Sequence, residues 1–325
     1  GQGPRTAQGY QTARQITESL VEAVKKMVVA NDRLIGLAFN PEDAYKFKKQ
    51  GKLTAFLGIE NGYAIGQDLS LIEHFYEEGV RYITLCHTAD NDICDSSTDR
   101  NDPEDKGLSQ FGRQVVAECN RLGMIIDISH ASDKSFWDVL ESSQAPIIAS
   151  HSCARAVCDN PRNLTDDMIK ALAARGGVIQ ICFLSSYVKP PRPNPDRDKA
   201  LQEFRAKYGN LRDVKDEAQR EKITAEMQEL NRKYPVEVAT VQDLVDHIDH
   251  VIKLVGVDYV GIGTDFDGGG GVVGCNDVSQ MINVTVELMK RGYSESDLAK
   301  IWGQNFFRVF NQVKTVAEKL NNSKR

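Results

Sequence analysis

No run of apolar residues in this 325-residue chain approaches the roughly 18 that a membrane helix requires, so no membrane span is read from it. A surplus of basic charge is also missing. The 40 Lys and Arg stand against 46 Asp and Glu for a net charge of -6, whereas a nucleic-acid surface needs a basic patch. The cysteines, Cys86, Cys94, Cys119, Cys153, Cys158, Cys182 and Cys275, lack paired spacing, and their odd number leaves at least one thiol free, which argues against a disulfide framework. No internal repeat and no second-domain linker are visible. The chain opens without an initiator Met or a signal peptide, as "GQGPRTAQGYQTARQITESL", a glycine-rich turn leading into a helix; whether the protein is exported, periplasmic or cytoplasmic is left open. What is present is a chain 41% hydrophobic and 26% charged, enough to bury a substantial core, with small molecules as the expected substrates.

Apolar runs suited to strands buried on both faces occur at 53–60 ("LTAFLGIE"), 81–87 ("RYITLCH"), 124–130 ("MIIDISH"), 146–151 ("PIIASH"), 178–183 ("VIQICF") and 259–267 ("YVGIGTDFD"). Amphipathic helices lie between them. Leu108, Phe111, Val115, Cys119 and Leu122 recur at steps of three and four, and Gly123 is their stop. Thr165 is expected to cap "DDMIKALAARG", with two acids in the first turn, and Ser294 a C-terminal helix. Such alternation predicts parallel strands with crossover helices, in a doubly wound sheet or a barrel. No Gly-x-Gly-x-x-Gly follows a strand, and "GTDFDGGGGVVG" carries two acids and no phosphate-type helix signal, so the reading is α/β, a (β/α)8 TIM-type barrel. Residues 1–325 are read as one (β/α) barrel domain, with a charged helical excursion at about 189–235 lying over the barrel.

Parallel barrels carry their chemistry at the C-terminal ends of the strands. Five of the six runs end on Glu60, His87, His130, His151 and Asp265, side chains able to bind metal or move protons. Glu60, His130 and His151 have the composition of a catalytic zinc site, two imidazoles and a carboxylate with room for water, which zinc acidifies toward a pKa of ~7. Asp265 is a candidate proton carrier, Asp267 is expected to turn away from the centre, and His87 is a donor to a developing oxyanion. His247 and His250, in "TVQDLVDHIDHVIKLVG", are read as structural residues of a helix outside the barrel.

Taken together and in order, "LGIENG", "RYITLCH", "GMIIDISHAS", "PIIASHSCARAVCDNPRNLTDD", "VGIGTDFDG" and "WGQNFFRVF" resemble the membrane (renal) dipeptidase family of the amidohydrolase superfamily over nearly the whole chain. The resemblance implies a (β/α)8 barrel with two zinc ions that hydrolyses dipeptides, and a homodimer. It further implies that Glu60 bridges the two metals, His130 and His151 complete one site, His87 polarises the substrate, Asp265 is the acid-base residue, Arg162 holds the terminal carboxylate and Tyr187 touches the substrate. A bidentate guanidinium is what such a carboxylate needs.

The family's second metal depends on a His-x-Asp at the end of the first strand. The His-x-Asp of this chain, His247 to Asp249, has helical context instead, which turns the two side chains about 200° apart. Six strands are counted where a closed barrel of this kind needs eight. Both shortages lead to one expectation, that the first two strands, with the His-x-Asp, lie upstream of Gly1, so that one metal site is only partly encoded here. Two other readings stand beside the dipeptidase: a metal-dependent amidohydrolase acting on another amide, a lactone or an ester, and a non-catalytic binding member of the family.

Overall fold

Short runs rich in Ile, Val, Leu and Cys form the strands, and they are most deeply buried at Ile125–Asp127, Ile148–Ser152 and Val178–Cys182. The computed structural model describes residues 2–101, 104–190, 192–209, 214 and 216–323. Among these are eight strands: β1 (Ile35–Leu37), β2 (Leu53–Ala55), β3 (Leu57–Glu60), β4 (Val80–Thr84), β5 (Ile125–Asp127), β6 (Ile148–Ser152), β7 (Val178–Cys182) and β8 (Val260–Gly263). The last six form one parallel sheet in chain order, β3-β4-β5-β6-β7-β8, an α/β architecture of TIM-barrel type. Each of the six counted runs supplies one of these strands. The run at 53–60 is in fact two strands: the chain leaves one sheet at Ala55 and enters the other at Leu57, and β2 pairs in parallel with β1, which the sequence reading missed. β3 and β8 do not pair with each other among the described residues, so the barrel is not closed by them.

The helices are α1 (Ala7–Ala30), α2 (Pro41–Lys49), α3 (Ser70–Glu77), α4 (Gln110–Leu122), α5 (Asp133–Ser142), α6 (Asp166–Ala174), α7 (Ser185–Val188), α8 (Pro195–Tyr208), α9 (Glu217–Lys233), α10 (Val241–Val255), α11 (Ile282–Lys290), α12 (Glu295–Ala299) and α13 (Asn305–Asn322). None is long and apolar enough to cross a membrane. Local chemistry sets their ends. Thr165 Oγ1 accepts from Met168 N, Ser294 and Asp297 form a reciprocal capping box, and Gly123 ends α4 at φ 83°, a left-handed turn that favours glycine. Within 189–235 lie α8 and α9. α8 and α9 pack on each other around Phe204, Val214 and Ile223, a cluster separate from the main core; Pro191, 210–213 and 215 lie outside the described residues.

One end of the sheet is sealed. Val309, Phe310 and Val313 of α13 pack on Ile125, Ile148 and Val178, the first residues of β5, β6 and β7, with Phe56, Tyr82 and Phe306 at the margin. Burying these side chains at about 1.5–3 kcal/mol each makes the N-terminal end of the strands a stability element. The C-terminal ends are left to the loops.

Candidate metal centre

The C-terminal rim is built by strands that stop early. β4, β5 and β8 end at Thr84, Asp127 and Gly263, two or three residues before His87, His130 and Asp265. Only Glu60 and His151 lie within their strands. All three non-glycine residues with positive φ among the described residues fall here: Asn61 (85°), His130 (71°) and Asp265 (54°). Left-handed backbone is costly for side chains with a Cβ and persists where surrounding contacts impose it, a concentration typical of functional sites.

The expected side chains meet. Glu60 Oε1 lies 3.0 Å from His130 Nε2 and 3.3 Å from His151 Nε2, and the two Nε2 atoms are 2.9 Å apart. Four-coordinate zinc, at about 2.0–2.1 Å from N and O ligands, holds its ligand atoms roughly 3.3 Å apart. Two imidazole nitrogens and one carboxylate oxygen at 2.9–3.3 Å therefore fit a tetrahedral divalent ion with one position to spare. Both histidines are buried, and burial depresses His130 to a pKa of about 3, leaving its ring neutral and ready to ligate. The close approach of the His130 and His151 rings pushes the Glu60 carboxyl well below the usual carboxylate range.

His87 stands at the edge of this group, its ring centroid 4.2 Å from that of His130 and its Nε2 3.7 Å from Glu60 Oε1; burial lowers its pKa. Asp265 lines the same cavity of about 520 Å³ as Glu60 and His151, together with Gln180, Thr84 and Phe306. Burial raises the Asp265 pKa. The glycines after it have a reason that is not phosphate binding: a Cβ on Gly268 would stand 2.1 Å from Asp265 Oδ1. Asp267 lines this cavity too. The expectation that it turns away fails: side chains two apart on a strand share one face, and past Gly263 the chain turns with both acids on the cavity.

Arg162 is 3% exposed. It donates from Nη2 to the His151 carbonyl at 3.3 Å and stacks over the Tyr187 ring, 5.2 Å from its centroid. Two buried polar residues pin this corner. Asn163 Oδ1 accepts from Cys153 N at 3.1 Å while its Nδ2 donates to the carbonyls of Cys158 and Tyr187, each at 2.8 Å. His247 Nδ1 accepts from Ala154 N at 3.1 Å, and its Nε2 donates to the Val188 carbonyl at 2.8 Å. Asp249 is held by Arg291 and Tyr293, so His247 and Asp249 form no ligand pair. His250 bonds Asp166 at 2.7 Å. The cysteines are all free and buried.

Sequence reasoning passed over several residues. Asn61 Oδ1 accepts from Tyr63 N and from Asn91 Nδ2, tying the turn after Glu60 to the loop after His87; the Asn-Gly pair at 61–62 was a turn signal. Asp127, fully buried, is a charge inside the run "MIIDIS", a pattern that calls for partners.

A family model described as membrane dipeptidase, peptidase family M19, matches residues 4–324. Among curated proteins, Dipeptidase tcpJ of Claviceps purpurea is 34% identical over 292 residues, covering 90% of this chain and 58% of its own length. Dipeptidase 3 of Mus musculus is 35% identical over 272 residues, covering 82% and 46%. The chain thus spans about half the length of the curated relatives it matches. The crystal structure of the probable dipeptidase PvdM from Pseudomonas aeruginosa superposes with a TM-score of 0.84 at 35% identity, over 96% of this chain and 82% of that one.

Proposed function

Because the chain belongs to the membrane dipeptidase family, peptidase family M19, we propose that it carries the catalytic centre of a zinc-dependent dipeptidase. Glu60, His130 and His151 would hold the ion. When bound, zinc supplies Lewis acidity, polarising a carbonyl and acidifying water. Asp265, its pKa raised by burial, accepts a proton in the cavity and returns it to the leaving amine. His87, beside the metal ligands, donates to the oxygen of the polarised carbonyl.

The observation that carries the substrate class is Arg162. Its guanidinium is buried, its Nε has no hydrogen-bond partner, and no carboxylate pairs with it among the described residues. An unpaired buried cation is costly, and a free substrate carboxylate would repay that cost. This favours a dipeptide over a lactone, a neutral amide or an ester. Tyr187, stacked on Arg162, would fix the orientation of the guanidinium plane.

The test is hydrolysis of a small dipeptide panel by zinc-loaded protein, each substrate offered with a free and an amidated C-terminus. Cleavage confined to the free acids supports the reading. Equal cleavage of both forms favours another amidohydrolase, and zinc binding without hydrolysis of either favours a binding member.

A further inference from the structure

A metal-bound imidazole works only if the nitrogen facing the metal carries no proton, and that is decided on the far side of the ring. Asp127 is fully buried at the end of β5, and its carboxyl receives four contacts. Oδ1 accepts from the backbone N–H of Ser129 at 3.0 Å and of Ser150 at 2.8 Å; Oδ2 accepts from Thr84 Oγ1 at 2.5 Å and Ser150 Oγ at 2.6 Å. Backbone N–H groups only donate, so the group is arranged as a carboxylate with all its acceptor sites filled.

Ser150 has one hydroxyl proton. With that proton given to Asp127, its oxygen can only accept from its other close neighbour, His151 Nδ1, at 2.7 Å. The His151 backbone is fixed as well, its N–H donating to Ser129 Oγ at 2.9 Å. We propose that Asp127 and Ser150 are positioning residues, a hydrogen-bond relay that locks His151 in the Nδ1–H tautomer and turns its Nε2 lone pair toward Glu60 and His130. The inference rests on reading those three residues as metal ligands. It separates the two histidines, since among the described residues His130 Nδ1 is buried without a partner and none on that side selects its tautomer.

Two substitutions act differently. In Asp127→Asn the amide nitrogen donates to Ser150 Oγ, which must then donate to His151 Nδ1, forcing the ring proton onto Nε2. In Ser150→Ala the ring is released rather than reversed. The experiment is ¹⁵N NMR of the histidine ring nitrogens in metal-free protein, paired with zinc affinity by chelator competition. The unsubstituted protein should show His151 protonated at Nδ1, Asp127→Asn should move the proton to Nε2, and Ser150→Ala should give a mixture. Zinc affinity should fall about 10–100-fold in each variant. Should Asp127→Asn fail to fold, Ser150→Ala carries both readouts. A metal-free parent with His151 protonated at Nε2, or a Ser150→Ala variant with parental tautomer and affinity, overturns the relay. No zinc binding by the parent overturns the ligand reading instead, and the NMR spectrum still decides the relay.

Discussion

Arg162 lies over the ring of Tyr187 at 5.2 Å from its centroid, a buried guanidinium stacked on an aromatic face and, among the described residues, not paired with an acid. The stack orients the fork while leaving its charge uncompensated, the arrangement expected of an anchor for an incoming carboxylate.

Arg162→Ala should therefore raise KM for free dipeptides by about 10–1000-fold, the ~1.5–4 kcal/mol of a charge-assisted pair, with a smaller change in kcat, because the anchor serves ground and transition states alike. Amidated dipeptides should be insensitive to the substitution. Steady-state kinetics on both substrate forms check this; an equal loss for both would assign Arg162 a purely structural role.

Asp265→Asn should retain zinc and lose about 10²–10⁴ in kcat, since the amide fills the same space and cannot carry a proton. In the parent, the carboxylate must be ionised to accept. Burial raises its pKa above the ordinary ~3.9, so kcat/KM should fall on the acid side with a midpoint above that value. A pH–rate profile unchanged by Asp265→Asn would place the proton elsewhere.

How much of this could be read in the chain follows from where the physics is local. A strand buried on both faces is a short apolar run, and six such runs are six strands of one sheet in order. β1 lies in the apolar run "LIGLAF" (34–39), a local signal like the other six that was passed over, whereas Phe56 hid a change of sheet because partners are not local information. Glu60, His87, His130, His151 and Asp265 were legible as polar side chains ending apolar runs. The depth of Arg162 was not, since nothing in "DNPRN" says that the loop folds inward. Asp127 and Asn163 act through contacts 20 or more residues distant as well as near ones, and only the folded chain reveals both sets.

His247 joins the loop after β6 to the end of α7 through a single ring. His247→Ala removes the partners of the Ala154 N–H and the Val188 carbonyl and opens a cavity, and should cost about 2–5 kcal/mol. Burial depresses the His247 pKa in the folded chain below the ~6.5 of the unfolded one. Above about pH 6.5 the ring is neutral in both states and its contribution is complete; as pH falls below that, the unfolded chain takes up a proton first and stability declines toward the folded pKa. Denaturant midpoints between pH 8 and 5 should decline less steeply for His247→Ala than for the parent, and parallel curves would dismiss the linkage.

Among the described residues one group of three ligand-capable side chains has its donor atoms within 4.8 Å of one another: Glu60, His130 and His151. His151 lies on β6, His130 three residues past the end of the neighbouring β5, and Glu60 at the end of the edge strand β3, so the group exists only in the folded chain. A metal that binds there must stabilise the fold by mass action, about 2.7 kcal/mol at a free concentration 100 times Kd. Zinc titration should saturate at about one ion per chain and raise Tm, and His130→Ala should abolish both effects while His250→Ala, which loses only the bond to Asp166, leaves both in place. Carboxamide at Glu60 keeps the volume but donates where the site needs an acceptor, so Glu60→Gln should weaken zinc strongly without unfolding the chain. Calorimetric titration beside thermal melts decides it: a zinc-induced rise in Tm that survives His130→Ala would move the metal away from this rim.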